Sequence, residues 1–199
     1  MKKFLHVGCG TKRKDHTTAG FNTAGWEETR LDIDATVQPD LTGSMTDMAG
    51  VASQSMDAIF SSHNIEHLYA HEVPVALAEF YRILKPDGFA VITCPDLQSV
   101  CALVANDKLT DPAYVSAAGP IAPLDILYGH RPQMARGNLY MAHHCGFTRK
   151  VLQDTLRAAG FASVATLARP KSFDLWAVAC KAALSEADLR DLARQHFPR

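Results

Sequence analysis

The stretch that most constrains this chain lies at its start, where Lys3-Phe4-Leu5-His6-Val7 runs into Gly8-Cys9-Gly10-Thr11. A short apolar segment passes directly into a Gly-X-Gly turn. Glycine there allows positive φ and close approach of a ligand to the backbone, because no Cβ stands in the way. A strand, a glycine turn and a polar segment is how open α/β sheets hold nucleotide-like ligands at the carboxyl ends of their strands. Such a turn is common by itself and gains meaning from residues at fixed distances downstream. Lys12-Arg13-Lys14 comes next; runs of this kind are mostly solvated loop, and the functional reading is an anion-facing lip of the site.

Thr29-Arg30-Leu31-Asp32-Ile33-Asp34 reads as a second strand ending in acids, with Asp32 placed 22 residues beyond Gly10. In dinucleotide-type folds an acid about 20 residues past the turn takes hydrogen bonds from ribose hydroxyls. A carboxylate suits that task because it only accepts. The competing reading for Asp32 is an Asx-turn at a strand end. Residues 11–25 between these strands are too mixed to assign beyond loop or irregular helix.

Pro39–Met45 reads as a short third strand and turn. Met56-Asp57-Ala58-Ile59-Phe60-Ser61-Ser62-His63 reads as a fourth strand whose small polar carboxyl end leaves room for a ligand. Val73, Leu77, Phe80, Tyr81 and Leu84 share a helical face, stopped by turn chemistry at Lys85-Pro86-Asp87-Gly88. Phe89–Cys94 is a continuous apolar run, as a strand covered on both faces requires. Asp96 is placed to cap a following helix.

Residues 106–146 break the regularity with Pro112, Pro120, Pro123 and Pro132 and four glycines. They remain too apolar for disorder, so they read as a packed lid or substrate wall over the strand ends. Thr148 then caps a helix closed by Gly160, with Phe147 and Leu152 as a hydrophobic staple. Phe161–Ala168 and Phe173–Cys180 are strands whose short connection forces an antiparallel pair. Ser185 starts a last helix to about Gln195. The alternation predicts a Rossmann-like, doubly wound α/β sheet, mostly parallel with an antiparallel C-terminal pair, helices on both sides, and a single domain over residues 1–199. The glycine turn, Asp32, Ser44-Met45 and Ser61-Ser62-His63 all fall at strand carboxyl ends, which is the case for one shared site.

Composition removes several classes. A net charge of −1 gives no global basic field for nucleic acid. Five cysteines, odd in number and without Cys-x-x-Cys, argue against a disulfide framework or zinc ribbon and for a reducing, cytoplasmic setting. The apolar run at the start ends at Gly8, too short for a signal peptide, and no run reaches the ~18 residues of a membrane span.

Five ordered stretches resemble the class I S-adenosylmethionine-dependent methyltransferases, in particular small bacterial proteins of the methyltransferase type 11 group. They are Leu5–Gly10, Leu31–Asp34, Asp57–Ser62, Ile65-Glu66-His67-Leu68 and Ile83–Phe89. The resemblance implies S-adenosyl-L-methionine as cofactor. It implies Gly8, Cys9 and Gly10 under the methionine and ribose, Asp32 on the ribose hydroxyls and Ile33 against the adenine. It further implies the Ser44-Met45 turn at the adenine edge, and Ser61, Ser62 and His63 at the methionine end. Two positions depart from the family's habit: His6 stands two residues before the first glycine, and Ser44 stands near the adenine, where the family often carries acids.

The sulfonium already bears the reactive methyl, so the chain's task is alignment of an acceptor and exclusion of water. A general base is needed only for an acceptor that is protonated at working pH. Among His63, Glu66, His67, His143 and His144, the preferred base is His63, at the fourth strand's end. The acceptor is expected to be a small molecule. No metal is expected: His63, His67 and His71 with Glu66 share a face only if they share a helix, and nothing at metal spacing flanks His143-His144-Cys145. Two alternatives compete. A dinucleotide-dependent oxidoreductase would want a third glycine where Thr11-Lys12-Arg13 stand. A cofactor-binding regulatory or scaffold protein would keep the fold without catalysis.

Overall fold

In a computed structural model, which describes residues 1–198, the chain forms a seven-stranded sheet. Its strands are β1 (Lys2–Val7), β2 (Trp26–Asp32), β3 (Leu41–Thr42), β4 (Met56–Ser62), β5 (Leu84–Pro95), β8 (Ser163–Arg169) and β9 (Asp174–Cys180), in the order β3-β2-β1-β4-β5-β9-β8. β1, β2, β3, β4 and β5 are mutually parallel, and β9 runs antiparallel to both β5 and β8. The order reverses between β1 and β4, which puts the glycine turn at the switch point where open sheets bind ligands.

Side chains alternate across the sheet as the two-residue period demands. Leu5, Ile59, Ala90, Ile92 and Ala177 face one way and pack under α1 (Val73–Ile83) and α5 (Arg149–Ala158), through Leu77, Phe80, Leu152 and Leu156. Phe4, Phe60, Phe89, Val91 and Val178 face the other way.

The second face is also covered, but by different means over β1 and β2. No α-helix connects β1 to β2; the crossover holds only a 3-10 turn at Lys14–His16. Phe21 drops from it onto Phe4, with ring centroids 4.5 Å apart. A buried aromatic of this size contributes roughly 1.5–3 kcal/mol. The cover is completed from the far end of the chain by α6 (Glu186–His196). Gly20 N–H donates to Gln195 O at 3.0 Å, and His196 Nδ1 lies 2.7 Å from Thr18 Oγ1.

Other boundaries move. The Lys85–Gly88 turn is absorbed into β5, where pairing jumps from Met56↔Leu84 to Ala58↔Phe89. The third strand shortens to two residues. The caps stand where the sequence puts them: Asp96 accepts from Gln98 N–H, Thr148 from Val151 N–H and Ser185 from Asp188 N–H. The 106–146 segment gains structure of its own. It contains the hairpin of β6 (Tyr114–Ser116) and β7 (Gly119–Ile121), then α3 (Pro123–Tyr128) and α4 (Arg131–Met134). It is anchored to α2 (Leu97–Val104) by the small core of Val100, Ile121 and Ile126.

Candidate active site

The loops after β1 and β2 are tied to each other by the backbone. Gly8 N–H and Cys9 N–H both donate to Leu31 O, at 2.8 and 3.2 Å. The Asp32 carboxylate takes Gly10 N–H on Oδ2 at 2.7 Å and Asp34 N–H on Oδ1 at 2.9 Å. Each oxygen keeps a second lone pair, since a carboxylate has about four acceptor sites. Gly43 N–H donates to Asp32 O at 2.9 Å, which brings the Ser44-Met45 turn to the same edge. Buried Arg30 stiffens the group from behind, donating to Gly10 O at 2.6 Å, Lys12 O at 3.1 Å and Gln38 O at 2.9 Å.

Gly8 and Gly10 have φ of +63° and +53°, which only glycine adopts without cost. A Cβ on Gly8 would sit 2.0 Å from Asn64 Oδ1, whereas one on Gly10 would meet nothing within 4 Å. Asn64 is a functional residue missed by sequence reasoning. Its amide donates to Val7 O at 2.9 Å and Ser62 O at 3.0 Å, joining the end of β4 to the glycine turn. Only its position one residue past the predicted strand hinted at this.

The remaining predicted residues divide. Ile33 is 48% exposed at the end of β2, an apolar surface beside Asp32. Ser44 Oγ lies 2.7 Å from Thr46 Oγ1 within its turn, and Met45 leans on the core. Cys9 is buried, which pushes its thiol up to about 11. Ser61 is buried beneath the Asn64 amide, and Ser62 Oγ lies 2.8 Å from Thr93 Oγ1. His6 faces away from the site's open side. Its Nδ1 lies 2.8 Å from Glu28 Oε1 of β2. Burial holds His6 below its ordinary pKa despite Glu28.

His63 stands at the mouth of a cavity of about 690 Å³ between the strand ends and the 106–146 segment. Its φ of +55° is a strained value for a non-glycine residue, of the kind that concentrates at functional sites. The side chain is deep in the protein's volume yet 48% exposed, because the cavity reaches it. Nδ1 lies 3.4 Å from Glu66 Oε1. Burial opposes protonation of this imidazole, but Glu66, helped by Asp174, outweighs it and raises the pKa above the ordinary value. Glu66 itself is 1% exposed. Burial resists its charge, and His63, His67 and His143 together hold it below the usual carboxylate range.

Comparisons with known proteins agree with this fold. Residues 5–92 match the methyltransferase domain family. No curated protein matches the chain in sequence. Among solved structures, the Burkholderia thailandensis 1,6-didemethyltoxoflavin-N1-methyltransferase, with bound 1,6-didemethyltoxoflavin and S-adenosylhomocysteine, is similar at 18% identity and TM-score 0.55, over 91% of this chain and 71% of that one. A SAM-dependent methyltransferase from Archaeoglobus fulgidus is similar at 16% identity and TM-score 0.57, over 90% and 86%. One from Aquifex aeolicus is similar at 13% identity and TM-score 0.55, over 91% and 82%. Residues 5–92 are thus similar to the methyltransferase domain family, and the fold as a whole is similar to that of solved SAM-dependent methyltransferases.

Proposed function

We propose that the chain transfers a methyl group from S-adenosyl-L-methionine to a small-molecule acceptor bound in the cavity beside His63. The observation that carries this reading is the pairing of Asp32 with Gly10. A carboxylate with acceptor capacity left sits against a glycine whose Cβ side is open. The residues present fit the cofactor: Asp32 for the ribose hydroxyls, Ile33 for the adenine face, the Ser44-Met45 turn for the adenine edge, and Gly8–Gly10 beneath the methionine. When bound, the cofactor supplies an electrophilic methyl on sulfur.

The chain's own residues do the rest. The 106–146 segment walls the cavity through Tyr114, Ile126 and His143 and keeps bulk water from the acceptor. Glu66 engages His63 at Nδ1, which leaves Nε2 as the nitrogen that takes a proton from an acceptor hydroxyl, thiol or ammonium. The cavity's volume lies within the roughly 300–1,000 Å³ range of small-ligand sites. Among the described residues no helix is long and apolar enough to cross a membrane. The five cysteines are all unpaired thiols, which fits a cytoplasmic protein.

Calorimetry with S-adenosylmethionine and S-adenosylhomocysteine tests the reading. Saturable binding of either is the expected result. Binding of a nicotinamide dinucleotide instead would replace it with the oxidoreductase, and cofactor binding without turnover across a broad small-molecule screen would favour the scaffold.

A further inference from the structure

We propose that Glu66, His67 and His143 form a binding site for one first-row divalent transition-metal ion, opening into the acceptor cavity. The three residues each present a ligand atom within 4.8 Å of the others. Neither local pattern weighed in the sequence contains this set, because the fold draws it from two distant segments. Backbone bonds fix their apposition: His144 N–H and Cys145 N–H both donate to Glu66 O, at 2.9 and 3.2 Å. His143 is thereby pinned across from the 3-10 turn Ile65–His67.

Both imidazoles are oriented as metal ligands are. His67 Nδ1 lies 3.0 Å from Ala142 O, and His143 Nδ1 lies 2.8 Å from Ile126 O. A carbonyl only accepts, so Nδ1 carries the proton in each ring and Nε2 carries the lone pair. Metal-bound histidines are commonly held by such a bond from the other nitrogen. Their rings stand 4.8 Å apart and inclined by 67°, edge to face rather than stacked.

Glu66 supplies an independent observation. Both of its carboxylate oxygens are buried without a hydrogen-bond partner. Its nearest partner, His63 Nδ1, stands 3.4 Å from Oε1; a buried carboxylate without a hydrogen bond is costly, and a bound cation lowers that cost. Two nitrogens and one oxygen suit zinc, cobalt, nickel or iron(II) better than magnesium or calcium, which prefer oxygen alone. Tetrahedral bonds near 2.0–2.1 Å put ligand atoms about 3.4 Å apart, so binding draws the trio together by a little over 1 Å. Three protein ligands leave further positions to the cavity, where a water or a donor atom of the acceptor sits. That last role rests on the methyltransfer reading; ion binding does not.

The test is a titration of metal-stripped protein with Co2+ alone, followed by its visible ligand-field absorption, with displacement by Zn2+. One equivalent is expected to saturate the signal. His67→Ala, His143→Ala and Glu66→Gln are each expected to weaken binding at least tenfold, whereas His71→Ala, an exposed neighbour, leaves it unchanged. S-adenosylmethionine affinity, measured on His67→Ala and His143→Ala by calorimetry, is expected to stay within threefold of wild type. If an alanine variant folds poorly, the near-isosteric Glu66→Gln carries the test. Zn2+ is then expected to raise the Tm of the wild-type protein and not that of the variant. No saturable Co2+ signal, a signal that survives all three ligand substitutions, or one abolished by His71→Ala would overturn the site. Loss of cofactor binding in wild-type protein that still binds Co2+ would sink the methyltransferase reading alone.

Discussion

The two halves of the cleft are built on opposite terms. On the β1–β2 side polar groups are satisfied within the chain: Asp32 holds two amides, Arg30 caps three loop carbonyls, and Asn64 ties β4 to the glycine turn. On the β4 side the pattern is reversed. Glu66 is buried with no hydrogen bond to either oxygen, and His63, at a strained φ, stands 3.4 Å from one of them. One half presents a finished surface for a ligand to rest on. The other stores unmet valence, which is where chemistry rather than recognition is built.

The largest expected effect breaks this contrast at His63. His63→Ala should lower kcat by about 10²–10⁴-fold, the worth of a general base, while S-adenosylmethionine affinity changes little. Single-turnover kinetics with calorimetry check it, and equal loss of both would merge the two halves.

A second test uses a histidine buried without a carboxylate. Burial pushes the pKa of His196 down to about 4. This lies below its unfolded value of about 6.5, so the unfolded chain takes up the proton first as pH falls. Stability is then full above about pH 6.5 and declines by about 3 kcal/mol by pH 4. His196→Phe should flatten that limb in urea melts; an unchanged limb would assign the acid loss to other groups. His63 titrates the opposite way, since Glu66 raises its pKa. The stability of that pair is present at low pH and disappears as pH climbs through the raised value.

Next, Asp32→Ala should weaken cofactor binding by about 1.5–3 kcal/mol, the range for hydrogen bonds to a charged group. Isothermal titration decides it, and unaltered affinity would free Asp32 from the ribose. The smallest effect is on stability. Above the pH at which His63 loses its proton, metal-free Glu66→Gln should be more stable than wild type by about 1 kcal/mol, since it removes a stranded charge. The same change should move the acidic limb of the pH–rate profile to lower pH, because Glu66 no longer opposes the effect of burial on His63. A destabilised variant above that pH would mean that Glu66 is already satisfied without an added ion.

Legibility followed locality. The strands, the helix caps and the antiparallel closing pair could be read because each depends on residues close in sequence. Gly8, Gly10 and Asp32 could be read because their spacing is set by one crossover. Two kinds of feature could not. The Glu28 partner of His6 appears only once β2 pairs beside β1. The Glu66, His67 and His143 cluster needs the return of the 106–146 segment, which no periodicity announces. What covers the β1–β2 crossover, read only as loop or irregular helix, was illegible for the same reason, since α6 stands in for a local helix from far along the chain.

That replacement has a consequence for how the molecule is made. The ribosome delivers the glycine-turn loops well before their backing, because Gly20 and Thr18 wait for Gln195 and His196. During synthesis the sheet's second face stays only partly covered, by Phe21 and Trp26, until α6 emerges, leaving its aromatic side chains more open to chaperones or to stray partners. A nascent chain stalled before α6 therefore exposes an aromatic plate, however complete its cofactor residues are.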